Sequence, residues 1–283
     1  MQEGLRTRPA PLIAVKGAGD LATGVIHRLV RAGFPVMATE LAQPRVLRRT
    51  VAFAEAVPRG EMTVEDITAR RVSSLAEAEV LFLKREVPVF IDPEGEVLHA
   101  ARPYALIEAT LAKENSGITL TDAPVMIALG PGYEAGRDVH AVIETNRGHN
   151  LGRVYFTGMA EANTGVPGMV GGYSSERLLR APCAGILYGK RSIGDIVEKE
   201  AIVAVIEANG ITTSVLAALS GRLRGLLRDG LLVSTQMKIG DIDPRAIREH
   251  CFTISDKSRA VAGGVLEALL YLLANHHWSL SQE

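Results

Sequence analysis

The densest run of reactive side chains is Glu144-Thr145-Asn146-Arg147-Gly148-His149-Asn150, directly after the apolar run 139–143. Glu144 offers a carboxylate, Arg147 a fixed cation and His149 a titratable imidazole. Together they could do acid–base work on an anion held by Arg147; the alternative is a structural polar network. Cys251 follows His250, a neighbour able to lower a thiol pKa, which makes it a candidate for nucleophilic catalysis. A buried structural cysteine is the competing reading. Cys183 lies among small residues and reads as inert. His140, Glu144 and His149 do not converge by spacing alone and no HExxH is present, so no metal site is expected.

A second chemistry is written in glycines. The apolar run 12–15 leads into Gly17-Ala18-Gly19-Asp20-Leu21-Ala22, which fits G-x-G-x-x-(G/A). Gly17 permits a tight strand-to-helix turn, Gly19 lets a phosphate approach bare backbone, and Ala22 keeps the helix close to the sheet. Leu21, Val25 and Leu29 form one stripe of the following helix, with Ala22, Ile26 and Val30 beside it. Gly33 suits the position after its end and Pro35 stops it. The next strand, 36–39, runs into Glu40, where a dinucleotide fold places the acid that binds ribose hydroxyls. Arg45, Arg48 and Arg49 follow, where a 2′-phosphate could sit; a solvated basic turn is the plain alternative. Gly130 and Gly132 form a second glycine turn after a strand and could offer amides to an anion. The candidate cofactor-binding set is therefore Gly17, Ala18, Gly19, Asp20, Glu40, Arg45, Gly130, Gly132 and Arg147.

The elements that would position these groups alternate. Helix 74–85 and strands 87–91, 105–108, 124–129 and 139–143 predict an α/β unit with a mostly parallel, Rossmann-like sheet over residues 1–172. Segment 158–172 is glycine-rich and reads as a linker and cleft rim. Beyond it a 36-residue repeat emerges: Ala181/Ala217, Gly185/Gly221, Leu187/Leu223, Gly189/Gly225, Gly194/Gly230 and Val197/Val233. Two interleaved copies predict a small all-β barrel-sandwich-hybrid module over 173–245, similar to biotinyl and lipoyl carrier domains. The hairpin between the copies reads Asn209-Gly210 and has no lysine. Lys238 lies elsewhere, so a swinging arm is rejected and the module is expected to be a lid, a dimer surface or a cleft wall. A helical segment, 246–283, with Val261, Val265, Leu269 and Leu272 on one face, is expected to pack back on the first domain.

At 283 residues the chain is long enough for two domains, and its net charge of −1 leaves no basic footprint for nucleic acid. Two distant cysteines argue against a disulfide scaffold. The first residues lack an apolar signal region and the run 260–274 is too short to span a bilayer, so a cytoplasmic protein without a membrane partner is expected.

Several long blocks carry a resemblance: KGAGDLATG (16–24), RRTVAFAEAV (48–57), LGPGYEAGRDVHAVIETNRGHNLGRV (129–154), NTGVPG (163–168), KIGDIDPR (238–245) and CFTISDKSRAVAGGVLEA (251–268). Across nearly the whole chain it resembles the YqeB-type accessory proteins of selenium-dependent molybdenum hydroxylases. That resemblance implies a role in maturing or operating a hydroxylase of the xanthine dehydrogenase type, with the hydroxylase or its maturation factors as partners. It also implies a phosphate-bearing ligand such as a molybdopterin nucleotide. NAD(P) is the other cofactor the glycine turn allows. A stand-alone NAD(P)-dependent oxidoreductase needs an acid or base at the nicotinamide, and no Tyr-x-x-x-Lys pair occurs. A scaffold that only binds the hydroxylase is the third reading, and a homo-oligomer is left open.

Overall fold

The computed structural model describes residues 10–163, 165 and 168–280. Strand β1 (Ile13–Lys16) ends at Gly17, whose φ of +93° turns the chain into α1 (Asp20–Arg31). Then come β2 (Val36–Glu40), a short α2 (Ala56–Arg59), β3 (Glu61–Val64), β4 (Ile67–Arg71), α3 (Leu75–Leu83), β5 (Val87–Ile91), α4 (Glu96–Ala101), β6 (Ala105–Glu108) and β7 (Val125–Leu129). Strands β8 (Glu134–Ala135), β9 (Ala141–Ile143), β10 (Val154–Tyr155) and β11 (Gly158–Met159) complete the first unit. One nine-stranded sheet results, in the order β10-β9-β7-β6-β1-β2-β5-β4-β3.

Alternation along each central strand fills two layers. Ile13 and Val15 face a core shared with α1, while Ala14, Met37, Phe90 and Met126 face a second core with Leu98 of α4. The strands are short and apolar on both faces, as a covered parallel sheet requires. The last helix, α5 (Asp256–Leu280), lies along α1. Its approach is so close that a Cβ on Gly24 would fall 2.0 Å from Ser258 Oγ, and one on Gly264 would fall 2.2 Å from Gly152 O. Among the described residues no helix is long and apolar enough to cross a membrane.

The second unit contains β12 (Leu178–Arg180), β13 (Gly185–Gly189), β14 (Ile196–Val197), β15 (Ile202–Ala208), β16 (Ile211–Leu216), β17 (Gly221–Leu226), β18 (Leu232–Val233) and β19 (Lys238–Asp243). They form two four-stranded antiparallel sheets, β12-β19-β17-β14 and β16-β15-β13-β18, closed over Leu187, Ile206, Leu223 and Ile242. Backbone joins the two units: Leu226 N donates to Leu47 O at 2.9 Å, and Arg49 Nε donates to Leu226 O at 2.7 Å.

The expected architecture, a Rossmann-like parallel domain plus a barrel-sandwich-hybrid module, is corrected by these sheets. The large sheet is mixed, because β3 and β10 run antiparallel to their neighbours at its two edges. Residues 61–71 stand outside the segments that the sequence pattern picked out. They are a hairpin, with Met62 and Val64 buried between exposed Glu61 and Thr63, and a tight turn at Glu65 and Asp66, where Glu65 takes φ +54°. Two buried residues in a short edge strand carry too little periodicity to stand out. In the second unit, β12 and β16 each add an edge strand lying outside the repeated positions, so the finished form is two separate antiparallel sheets.

Candidate functional site

Two strands of the large sheet, β2 and β6, end in glutamate, and a third glutamate, Glu144, directly follows β9. Glu40 Oε2 accepts the Ala18 amide at 3.0 Å and its Oε1 accepts Leu41 N at 2.8 Å. Glu144, almost wholly buried, accepts Asn146 N at 2.7 Å and Glu161 N at 2.8 Å. Glu108 Oε1 accepts Thr110 N at 2.7 Å, while its Oε2 lies 3.6 Å from Lys16 Nζ and has no hydrogen bond among the described residues. Carboxylates satisfied by two amides hold loops in place. Glu40 and Glu144 are therefore loop clamps in this structure.

The glycine turns are occupied in the same way. Gly17 N donates to Thr39 O, Ala18 O accepts from Ala54 N and Thr23 Oγ1, and Gly19 O accepts Thr23 N. Gly130 N donates to Ile143 O, and Gly130 O accepts Thr145 Oγ1. A Cβ on Gly132 would meet Ala112 O at 2.4 Å and Glu114 N at 2.7 Å, so this glycine serves a crossing of two backbones. Arg45 is exposed, as is His149. Cys251 is fully buried with Sγ 3.7 Å from Leu223 O, and burial pushes its thiol pKa up.

Beside the first turn opens a cleft of about 330 Å³. Asp20 and Leu21 of α1 form its floor, Pro131, Thr145, Asn146 and Arg147 one side, and Glu161, Ala162, Asn163, Gly168 and Val170 its rim. The second unit supplies Arg177, Arg224, Lys238 and Asp241, and the start of α5 supplies Ser255 and Lys257. Of the residues singled out from sequence as ligand contacts, the structure brings Asp20, Arg48 and Arg147 to this cleft. Glu144 stands behind it, coupled to Lys257 by charge.

Arg48 also lines the cleft and ties its parts together. It donates to His250 O at 3.0 Å and Thr253 O at 3.1 Å, and lies 3.4 Å from Asp20. Arg147 pairs with Asp256, whose hydrogen-bonded guanidinium holds the Asp256 carboxyl well below the usual carboxylate range. Arg177 is buried against Asp241, and Arg224 lies 3.6 Å from Asp243, with burial lowering its pKa. The lysines differ. Lys238 keeps solvent contact along the cleft, but the surrounding walls lower its pKa, and desolvation does the same to Lys257. Sequence reasoning missed Lys238 and Lys257 as ligand-facing groups. The only available signal was their place within the KIGDIDPR and CFTISDKSRAV blocks.

Away from the cleft, His27 Nε2 lies 2.7 Å from Asp66 and 3.5 Å from Glu65, a group with the composition of a metal site. Arg31 and Arg259 already pair with those acids, so an ion-pair network accounts for it.

Fold and site together define an α/β protein with a mixed central sheet, an appended β unit and a cationic cleft where the two meet. No family model matches the chain. Over 262 residues, 93% of its length, it is 50% identical to Uncharacterized protein YqeB from Escherichia coli (strain K12). It belongs to the YqeB family across that shared region, and spans about half the length of this curated relative, 48%. Among solved structures, an aspartoacylase family protein from Mesorhizobium loti is 11% identical, with 82% of this chain and 85% of that one covered and a TM-score of 0.28. The ectoine utilization protein EutE (DoeB) from Ruegeria pomeroyi is 10% identical, with 84% and 86% covered and a TM-score of 0.28. Likeness at this level carries no argument about what the chain does.

Proposed function

We infer that this chain binds a phosphate-bearing small molecule in the cleft and serves as an accessory protein to a selenium-dependent molybdenum hydroxylase of the xanthine dehydrogenase type. The observation that carries the ligand half is the charge of the cleft: Arg48, Arg147, Arg177, Arg224, Lys238 and Lys257 outnumber Asp20, Glu161 and Asp241. Its position, at the carboxyl ends of parallel strands, is where α/β sheets gather ligands. Resemblance to YqeB-type accessory proteins supports the client half. A molybdopterin nucleotide and NAD(P) are the ligands that combine a phosphate group with that setting.

The NAD(P)-dependent oxidoreductase reading has less behind it. The acid expected to hold a ribose, Glu40, spends both oxygens on the amides of Ala18 and Leu41. Thermal-shift measurements with NAD, NADP, CTP, GTP and ATP test ligand binding, since a ligand at 100 times its Kd stabilises by about 2.7 kcal/mol. A shift with a nucleotide supports the reading, and no shift with any of them favours the scaffold. Pull-down from the native host with metal and selenium analysis tests the client; recovery of neither molybdenum nor selenium ends that half.

A further inference from the structure

Every arginine of the cleft already has a carboxylate partner: Arg48 with Asp20, Arg147 with Asp256, Arg177 with Asp241 and Arg224 with Asp243. Lys238 and Lys257 have no hydrogen-bond or ion-pair partner among the described residues. Both line the cleft from separate elements, Lys238 at the start of β19 in the second unit and Lys257 in the first turn of α5. The Lys238 charge is among those that lower the pKa of Lys257, so both ammonium groups face the same space. Beneath them two guanidinium nitrogens, Arg48 Nε and Arg177 Nε, are buried without a hydrogen bond among the described residues. Both side chains are about nine-tenths buried.

Cations that share one cleft without a carboxylate partner repel one another, and an anion that joins them relieves that repulsion. The two lysines, the cleft cations left without a carboxylate partner among the described residues, line a space of about 330 Å³ and match two linked anionic groups with a body attached. Resting on the phosphate-ligand reading above, we propose that Lys238 and Lys257 grip a diphosphate, one phosphate to each lysine, so that the ligand fastens the β unit to α5. A diphosphate linkage is what dinucleotides and molybdopterin nucleotides share, and what a lone phosphate lacks.

Calorimetric titration of the intact chain with pyrophosphate, ADP, AMP and inorganic phosphate tests this. K238M, K257M and the double variant are compared with K84M, which alters an exposed lysine beyond the end of α3. Pyrophosphate and ADP are expected to bind at least tenfold more tightly than phosphate and AMP. Each cleft substitution should weaken them at least tenfold, and K84M should not. Tm of the unliganded K238M and K257M should match that of the wild type, because neither lysine makes a hydrogen bond or ion pair among the described residues; this separates lost binding from lost folding. Diphosphates that bind the double variant as well as the wild type would overturn the grip and leave the phosphate reading standing. Equal affinity for phosphate and pyrophosphate overturns it as well. If no phosphate compound binds the wild type, both readings fall.

Discussion

Arg147 and Asp256 meet fork to fork, at 2.7 and 2.9 Å, and join the loop after β9 to the first residue of α5. The pair sits at the mouth of the cleft, and Arg147 lines it. Since the folded protein depresses the Asp256 pKa, the pair stabilises above the unfolded aspartate value of about 3.9, and that contribution is lost as pH falls through it. D256N is expected to lower Tm slightly at pH 7, within about 1 kcal/mol, because the carboxylate is largely exposed. The difference between D256N and wild type should hold above about pH 5 and shrink as pH falls below about 4. Thermal melts across that range check it, and a constant difference would show the pair to be neutral.

Helix α1 meets α5 at Gly24, where any Cβ collides with Ser258 Oγ at 2.0 Å and crowds Ile254 at 3.2 Å. G24A gains about 1 kcal/mol in helix propensity. Overpacking costs about 1–3 kcal/mol, so net destabilisation is expected. S258G opens the space, and the double variant should recover part of the loss. Urea unfolding of the four proteins measures this coupling; strictly additive effects would contradict the contact.

The Ala18 amide is buried, and Glu40 is its acceptor. Leaving it unpaired should cost about 1–3 kcal/mol in E40A. E40Q keeps one carbonyl oxygen and should lose less. Equal stability of E40A and wild type by denaturant titration would show that the clamp contributes nothing.

Cys251 is buried with its pKa raised, whereas Cys183 is half-buried. Ellman's reagent at pH 8 should label one thiol of the folded protein quickly, and C183S should abolish that phase. A fast phase that survives C183S would mean that Cys251 is reachable, and would restore it as a sulfur-chemistry candidate.

Much of the local structure was legible. The glycine turn at Gly17, the stripe Leu21, Val25 and Leu29 and the end at Gly33 are all set within a few residues, and α1 follows them. The Asn209-Gly210 turn, with φ of +51° and +77°, is equally local. Less legible was purpose. Glu40 and Glu144 share the composition of catalytic or ribose-binding acids, and only the position of facing amides turns them into clamps. Gly130 and Gly132 looked like an anion loop, yet Gly132 is small because the backbone of Ala112 and Glu114 passes against it.

By itself the sequence determined the longer central strands, α1 and the Asn209-Gly210 turn, because hydrophobic period, glycine positions and caps act over neighbouring residues; the short edge hairpin of β3 and β4 escaped that pattern. Tertiary structure alone decided that the large sheet is mixed and that Lys238 and Lys257 share one space. Those facts depend on which distant surfaces pack together. Lys16 and Glu108, or Gly24 and Ser258, become neighbours only when burial of apolar faces brings separate elements together, and no local pattern encodes that meeting.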